Sequence, residues 1–261
     1  MSDVSETLVA YGPAHMAALA VIAAAAVVAA GVVGARRRAP GSRVVRRVCR
    51  TLAAVLLVNM IFEQCYRVAT GQWSLAESLP LHLCDLSVFA AITALVLATR
   101  ATVLAHATQP AATQSRGRAA FDVVYYWGLA GATQALLTPS VGQGFPGPLF
   151  FTYFTAHGSI VVAVLVLIFG LRLRPQRGSA VRVWLLTNVV AVPVLACDWL
   201  LRANYMYLRG PAEAPSVLDY LGDWPWPFLP SLNLLVAVCI ALCYAPWWWI
   251  DRRRRIRGYA R

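Results

Sequence analysis

The chain has 261 residues, of which 59% are apolar and only 13% are charged, and its mean hydropathy is +0.62. Charged residues are therefore about half as frequent as in typical soluble domains. Several apolar stretches of roughly 20 residues are long enough to cross the hydrocarbon core as helices. These properties exclude a soluble fold and predict an all-α, polytopic membrane protein that forms one domain over residues 1–261.

All 23 basic residues are arginine, which gives a net charge of +12 without any lysine. Schiff-base chemistry on a lysine, as in retinal proteins and pyridoxal enzymes, is therefore excluded. The arginine clusters at 36–38 and 252–255 directly follow apolar runs, so they indicate membrane topology and not nucleic-acid binding. Anionic lipid headgroups are the nearest partner for this charge.

The apolar runs predict a bundle of seven transmembrane helices. The predicted spans are 13–34, 48–68, 79–99, 119–139, 149–171, 181–203 and 227–249. If the N-terminus lies outside, only Arg67, Arg202 and Arg209 fall on the outer side, and the other arginines are cytoplasmic. This bias predicts an outside N-terminus and a cytoplasmic C-terminus.

Two connections and the first span have distinctive compositions. Residues 101–118 are polar and interrupted by proline, which predicts a cytoplasmic loop with a solvated His106. Residues 204–230 are rich in aromatic residues and proline, which predicts an outer segment that covers the membrane interface as a lid. The first span is dominated by alanine and valine, so we expect a retained anchor helix at the periphery of the bundle.

Polar side chains within the predicted spans concentrate in the outer half of the membrane. Each is a candidate for function, because an unpartnered polar group in hydrocarbon costs several kcal/mol. At 1.5 Å per residue, Cys84 lies roughly 8 Å and His157 roughly 12 Å below the outer boundary. We therefore expect one polar pocket that faces outward. Its candidate residues are Glu63, His82, Cys84, Asp85, Gln134, His157, Asp198, Asn204, Tyr205 and Asn233.

The order of residues in the HLCD motif separates their roles. Residues two apart point to different sides of a helix, so we expect His82 to pair with Asp85 or cap the helix instead of contacting Cys84. This geometry disfavours a metal site, and we predict neither a metal nor another cofactor. The helix dipole favours the Cys84 thiolate, and His157 on another helix is a candidate base. From these residues alone, a structural cysteine and histidine pair stays open as the alternative.

Four motifs of the chain are characteristic, namely LPLHLCDLS, YYWGLAGATQALLTP, FFTYFTAHG, and NYMYLR followed by DYLGDWPWPF. Through these motifs the chain resembles the YwaF-like family of bacterial integral membrane proteins and its animal relative, the transmembrane protein 164 family. The resemblance covers about residues 50–245 and implies a bacterial cell membrane location. Animal relatives are acyltransferases that move fatty acyl chains between phospholipids through a cysteine and a histidine. A similar fold occurs in the androgen-induced and androgen-dependent membrane hydrolases. The resemblance implies Cys84 as nucleophile and His157 as general base.

Three functions are compatible with this pattern. The first is a lipid acyltransferase or lipid-ester hydrolase, with Gln134, Asn204 or Asn233 as oxyanion donors. In that interpretation Asp198 or Glu63 orients His157, and the aromatic lid, which contains Tyr205, binds the acyl chain.

The second function is a non-catalytic carrier or receptor for a lipid or small molecule, although the chain lacks the internal repeat and broken helices typical of transporters. The third is a purely structural polar cluster of Glu63, His82, Asp85 and Asp198. All three predict membrane lipids and not nucleic acid as surroundings or partners, and they leave the oligomeric state open.

Overall fold

The computed structural model describes residues 8–37, 42–103, 111–211 and 216–259, and these residues form helices without any β-strand. The helices are α1 (Pro13–Arg36), α2 (Arg43–Ala69), α3 (Leu83–Val103), α4 (Ala111–Trp127), α5 (Thr133–Leu137), α6 (Pro148–Leu165), α7 (Ser179–Leu201) and α8 (Phe228–Tyr259). A π-helical turn, Gly128–Ala132, joins α4 to α5, and a second one, Val166–Gly170, extends α6. The all-α prediction is confirmed.

Four of the described helices are long and apolar enough to cross a membrane. They are Pro13–Arg36, Pro148–Gly170, Ser179–Leu201 and Phe228–Arg253, and α3 contributes a shorter apolar helix, Leu83–Thr99. Large aliphatic side chains such as Val192, Leu200 and Leu242 are exposed on the outside of the bundle. A contiguous exposed apolar surface of this kind is typical of a membrane protein.

The prediction of a loop over residues 101–118 is wrong at both ends. Helix α3 continues to Val103, and α4 already begins at Ala111. The reason is composition, because alanine, glutamine and arginine in this stretch are good helix formers despite their polarity. His106 lies outside the described residues.

The core of the bundle lies between α3, α4 and α6. Ala91, Leu95, Val124, Ile160 and Leu167 are fully buried there. In contrast, only 11% of the most apolar stretch of α1 is buried, so α1 lies at the periphery, as its composition predicts. Its buried residues are His15, Ala26 and Val33, and Val33 packs beside Gly170 at the end of the helix formed by α6 and its π-helical extension.

Hydrogen bonds show which helix ends lie together. The Nε2 atom of buried His15, in the first turn of α1, lies 2.8 Å from the carbonyl oxygen of Leu136 in α5. The hydroxyl of Tyr205, after α7, accepts from the N–H of Leu79, before α3, at 2.9 Å. We call this end of the bundle, which includes residues 70–82, 138–147, 202–211 and 216–227, the Cys84 end.

The opposite end of the bundle carries most of the described arginines and is organised around Asp122. This buried carboxylate accepts the backbone N–H of Gln176 at 3.1 Å and forms a 3.5 Å ion pair with Arg182 at the start of α7. The guanidinium of Arg174 lies 5.1 Å from the ring centroid of Trp247 in α8. These contacts hold α4, α7 and α8 together at the arginine-rich end.

Gly170 provides a test of the contact between α1 and α6. A methyl group at Gly170 would lie 2.8 Å from Cγ1 and 3.0 Å from Cβ of Val33, whereas nothing lies within 4 Å of the same position at Gly31. We expect Gly170→Ala to lower the free energy of unfolding by about 1–3 kcal/mol through overpacking. Gly31→Ala should leave it unchanged or raise it by up to about 1 kcal/mol. Thermal unfolding in detergent measures both, and equal behaviour of the two variants would contradict this packing.

Candidate functional site

A cavity of about 830 Å³ opens at the Cys84 end of the bundle. Its wall is mostly apolar and is built by residues from α2, α3, α5, α6, α7 and α8 together with the connecting segments. Seven of the residues predicted for the site line it, namely Glu63, His82, Cys84, Asp85, Gln134, His157 and Asn233. These seven side chains come from five helices and a loop and line one open cavity.

Cys84 lies in the first turn of α3, where it is half-buried and lines the cavity. The first backbone bond of the helix runs from the N–H of Leu86 to the carbonyl oxygen of His82, at 3.1 Å. The earlier N–H groups of Leu83, Cys84 and Asp85 therefore precede the regular hydrogen-bond ladder. Such a turn carries the positive end of the helix dipole, whereas the carboxylates of Asp85 and Glu63, which line the same cavity, oppose a thiolate at Cys84.

Asp85 is fixed by the backbone and not by a cation. Its Oδ2 atom accepts the N–H of His82 at 3.1 Å, which caps the start of α3. A carboxylate in this position satisfies an N–H group that the helix itself leaves free. Asp85 thus stabilises the turn that carries Cys84.

His157 lies in α6 and is 8% exposed. Its Nδ1 atom is 2.8 Å from the carbonyl oxygen of Tyr153, one turn earlier in the same helix. Because a carbonyl oxygen only accepts, Nδ1 must carry the hydrogen, and in the neutral ring Nε2 then holds the free lone pair. The Tyr153 ring packs against the imidazole with centroids 4.3 Å apart. The orientation of His157 thus comes from its own helix, and neither Asp198 nor Glu63 forms a hydrogen bond or an ion pair with it among the described residues.

His82 holds the chain that follows α7. Its Nδ1 atom accepts the backbone N–H of Met206 at 3.3 Å. Its ring lies 5.2 Å from the ring of Tyr205 and 5.6 Å from that of Tyr207, measured between centroids. These contacts connect the start of α3 directly to the segment 204–208 and place Tyr207 on the cavity wall.

Glu63 lies in the last turns of α2 and pairs with Arg67, which the sequence pattern indicates only as an arginine on the outer side and not as a site residue. Arg67 donates to Glu63 Oε1 from Nε at 3.1 Å and from Nη2 at 3.0 Å. Both side chains are partly exposed and line the cavity. The i, i+4 spacing of opposite charges on one helix was the signal available in the sequence.

Three predicted site residues lie outside the cavity wall. Asp198 is fully buried, and its Oδ1 atom accepts the N–H of Tyr205 at 2.8 Å. Asn204 donates to the carbonyl oxygen of Gly210 and accepts from the N–H of Arg209, which closes a local turn. These contacts are structural, so the placement of Asp198 and Asn204 at a common pocket is corrected.

Tyr205 is the third of these residues, and its buried side chain anchors neighbouring segments of the chain. Its hydroxyl donates to the carbonyl oxygen of Leu75 and accepts from the N–H of Leu79, each at 2.9 Å. It is fully buried and therefore does not offer its ring to an acyl chain. The expected lid role of residue 205 is replaced by an anchoring role between the α2–α3 loop and α7.

Gln134 and Asn233 line the cavity, but their amides already have partners. Gln134 Nε2 donates to Thr138 Oγ1 at 3.0 Å. Asn233 donates to Asn188 and accepts from the indole N–H of Trp184. The contacts of Asn233 with Asn188 and Trp184 connect α8 to α7.

Comparison with known proteins identifies the family of the chain. The model of the TMEM164 family matches residues 10–244, so the chain belongs to the TMEM164 family. No curated protein matches the chain, and no solved structure matches it.

Asp198 provides a test of the division between structural and cavity residues. Asp198→Ala leaves the buried N–H of Tyr205 without an acceptor, so we expect the free energy of unfolding to fall by about 1–3 kcal/mol. Asp223→Ala, at an exposed position on the same connection, should leave stability unchanged. Thermal unfolding in detergent is the measurement, and the rate of Cys84 alkylation by iodoacetamide is expected to be the same in both variants. A large loss of alkylation with intact stability would instead place Asp198 at the reactive site.

Proposed function

We propose that this membrane protein is a lipid acyltransferase or lipid-ester hydrolase in which Cys84 is the nucleophile and His157 is the general base. The observation that carries the proposal is that a cysteine in a helix first turn and a histidine with a free Nε2 line one large, mostly apolar cavity. Cysteine and histidine on separate elements around one cavity is a recurrent arrangement for nucleophilic catalysis.

The proposed chemistry uses Cys84 as the nucleophile and His157 as the base. His157 Nε2 accepts the proton of the Cys84 thiol, and the sulfur attacks the carbonyl carbon of a lipid ester. The ester C–O bond breaks, and the departing alkoxide takes the proton back from His157. A hydroxyl group of a second lipid, or water, then attacks the thioester with His157 again as base. The acyl chain leaves on that acceptor and Cys84 is restored.

The cavity favours a substrate with a long apolar part. Its volume of about 830 Å³ lies within the usual range of ligand pockets. Leu195, Val236 and Ile240 contribute to the apolar wall, and Glu63 and Arg67 contribute charged groups. The apolar wall suits a fatty acyl chain and the charged groups suit a polar headgroup, so membrane lipids are the proposed substrates.

The proposal includes a topology. Seven crossings with the N-terminus outside place the Cys84 end at the outer leaflet of a bacterial cell membrane and most arginines in the cytoplasm. The start of α1 bonds to the end of α5, and the segment after α7 bonds to the segment before α3. These contacts support a topology in which successive crossings run in opposite directions. A lipid of the outer leaflet then reaches the cavity without crossing the membrane.

The acyl-enzyme provides the test of catalysis. Purified protein in detergent, incubated with the p-nitrophenyl ester of a fatty acid, should gain the mass of one acyl group and lose it in hydroxylamine, as a thioester does. Cys84→Ala should abolish the adduct, and His157→Ala should slow its formation by about 10²–10⁴-fold because the base is lost. Intact-protein mass spectrometry measures both.

Cys197→Ala is the matched control, because Cys197 is also half-buried but does not line the cavity. This variant should acylate like the wild type. Acylation that persists in Cys84→Ala, or that disappears in Cys197→Ala, would refute Cys84 as the nucleophile.

Single cysteines provide the test of topology. In a variant without native cysteines, Thr70→Cys at the Cys84 end should react with a membrane-impermeant maleimide in intact cells. Arg177→Cys at the opposite end should react only after lysis. Both positions are exposed, so a reversed pattern would contradict the proposed orientation.

A further inference from the structure

We propose that the hydroxyl of Tyr207 donates the hydrogen bond that stabilises the oxyanion formed when Cys84 attacks a lipid ester. This inference rests on the proposed acyl-transfer function and adds one catalytic residue to it. The argument comes from the donors that the cavity offers, from the position of Tyr207 and from the strained backbone that holds it.

The side-chain amides that sequence patterns favour as oxyanion donors are already engaged. Asn204 lies off the cavity wall, where it bonds to Gly210 and Arg209. Asn233 is held between Asn188 and Trp184, and Gln134 donates to Thr138. The bonds of Asn233 join α8 to α7, so using its amide for catalysis would break a contact between two helices. The bonds of Asn204 and Gln134 are local, and using these amides would break a turn or a bond within one helical turn.

Tyr207 lines the cavity and differs from the tyrosines whose hydroxyls are engaged by the fold. The hydroxyls of Tyr125, Tyr126, Tyr153 and Tyr205 each hydrogen-bond to a group of the fold. In the part of the chain that the structure describes, no hydrogen bond engages the hydroxyl of Tyr207, although its side chain is half-buried and lines the cavity with Cys84. Among the described residues this O–H group faces no competing acceptor of the fold, so it is available as a donor to a bound substrate.

The backbone at Tyr207 is held in an unfavourable conformation. Met206 and Tyr207 have φ angles of 55° and 57°, in the left-handed region that residues with a Cβ atom rarely adopt. Three bonds maintain this turn. The N–H of Tyr205 donates to Asp198, the N–H of Met206 to His82, and the N–H of Tyr207 to the carbonyl oxygen of Asn204. Strain that several neighbouring contacts maintain is characteristic of functional sites, and here its result is the placement of Tyr207 on the cavity wall.

His82 connects this turn to the nucleophile. It precedes Cys84 by two residues, and its ring contacts Tyr207 with centroids 5.6 Å apart. Tyr207 therefore packs against the same helix start that carries the sulfur. Burial raises the pKa of Tyr207, and negative charge on Asp85 raises it further, so the phenol keeps its proton and acts as a donor.

In the proposed step, the sulfur–carbon bond forms while the carbonyl π pair moves onto oxygen. The Tyr207 O–H donates to that oxygen and retains its proton throughout. When the intermediate collapses, the pair returns to the carbonyl, and the alkoxide leaves with the proton that His157 took from Cys84. Tyr207 thus lowers the barrier without taking part in the proton balance.

Two reactions of Cys84 separate this role from a structural one. Acylation by the p-nitrophenyl ester of a fatty acid passes through a tetrahedral oxyanion, whereas alkylation by iodoacetamide is a direct displacement at carbon. We expect Tyr207→Phe to slow acylation roughly 10²-fold, the usual effect of removing one oxyanion donor. The alkylation rate and the melting temperature in detergent should stay at the wild-type values.

Tyr220→Phe is the control, because this tyrosine is 88% exposed and should behave like the wild type in both reactions. Wild-type acylation in Tyr207→Phe would overturn the role of Tyr207, and so would an equal loss in both reactions. If Cys84→Ala alone abolishes acylation while Tyr207→Phe does not affect it, only the present inference fails. If Cys84→Ala still acylates, the proposed function itself fails.

Discussion

The hydrogen bond between His157 and the carbonyl oxygen of Tyr153 is the contact on which the chemistry of the cavity depends. It lies within α6, so the helix itself fixes the imidazole. It also selects the tautomer, because only a protonated Nδ1 can donate to a carbonyl oxygen, and Nε2 is left with the lone pair. Without this bond the ring would be free to rotate, and the same histidine would present either nitrogen to the cavity.

Like His157, other buried polar side chains of the bundle form hydrogen bonds with backbone atoms. Asp85 accepts the N–H of His82, Asp198 accepts the N–H of Tyr205, and His15 bonds to the carbonyl oxygen of Leu136. In an apolar bundle an unpaired polar group is costly, and backbone partners stabilise it without bringing in a second charge. These groups hold helix starts and turns in place, which leaves few polar side chains free to act on a substrate.

Sequence reasoning predicted what depends on composition and depth. It gave the all-α membrane fold, and counting residues from the span ends placed Cys84 and His157 at levels where both line the cavity, although their roles stay predictions. It did not anticipate that Asp198 and Asn204 bond to a turn, because the spacing of residues says nothing about the path of the chain after α7. The contact of His15 with Leu136 and that of Tyr207 with His82 were not predicted for a related reason, since each joins residues more than 100 positions apart. Sequence reasoning predicted Tyr207 only as part of the aromatic lid segment. The helices at both ends of residues 101–118 were not predicted, because the polar composition indicated a loop although several of these residues have high helix propensity.

The most direct test of this account asks whether residues 84 and 157 share one space. In a variant that keeps Cys84, replaces the other five cysteines by alanine and carries His157→Cys, the bifunctional thiol reagent dibromobimane should bridge the two sulfurs and become fluorescent. Both single-cysteine variants should react with monobromobimane but give no bridge. Efficient single labelling at both positions without any bridged product in the double variant would show that the two side chains do not meet, and it would contradict the proposed cysteine and histidine pair.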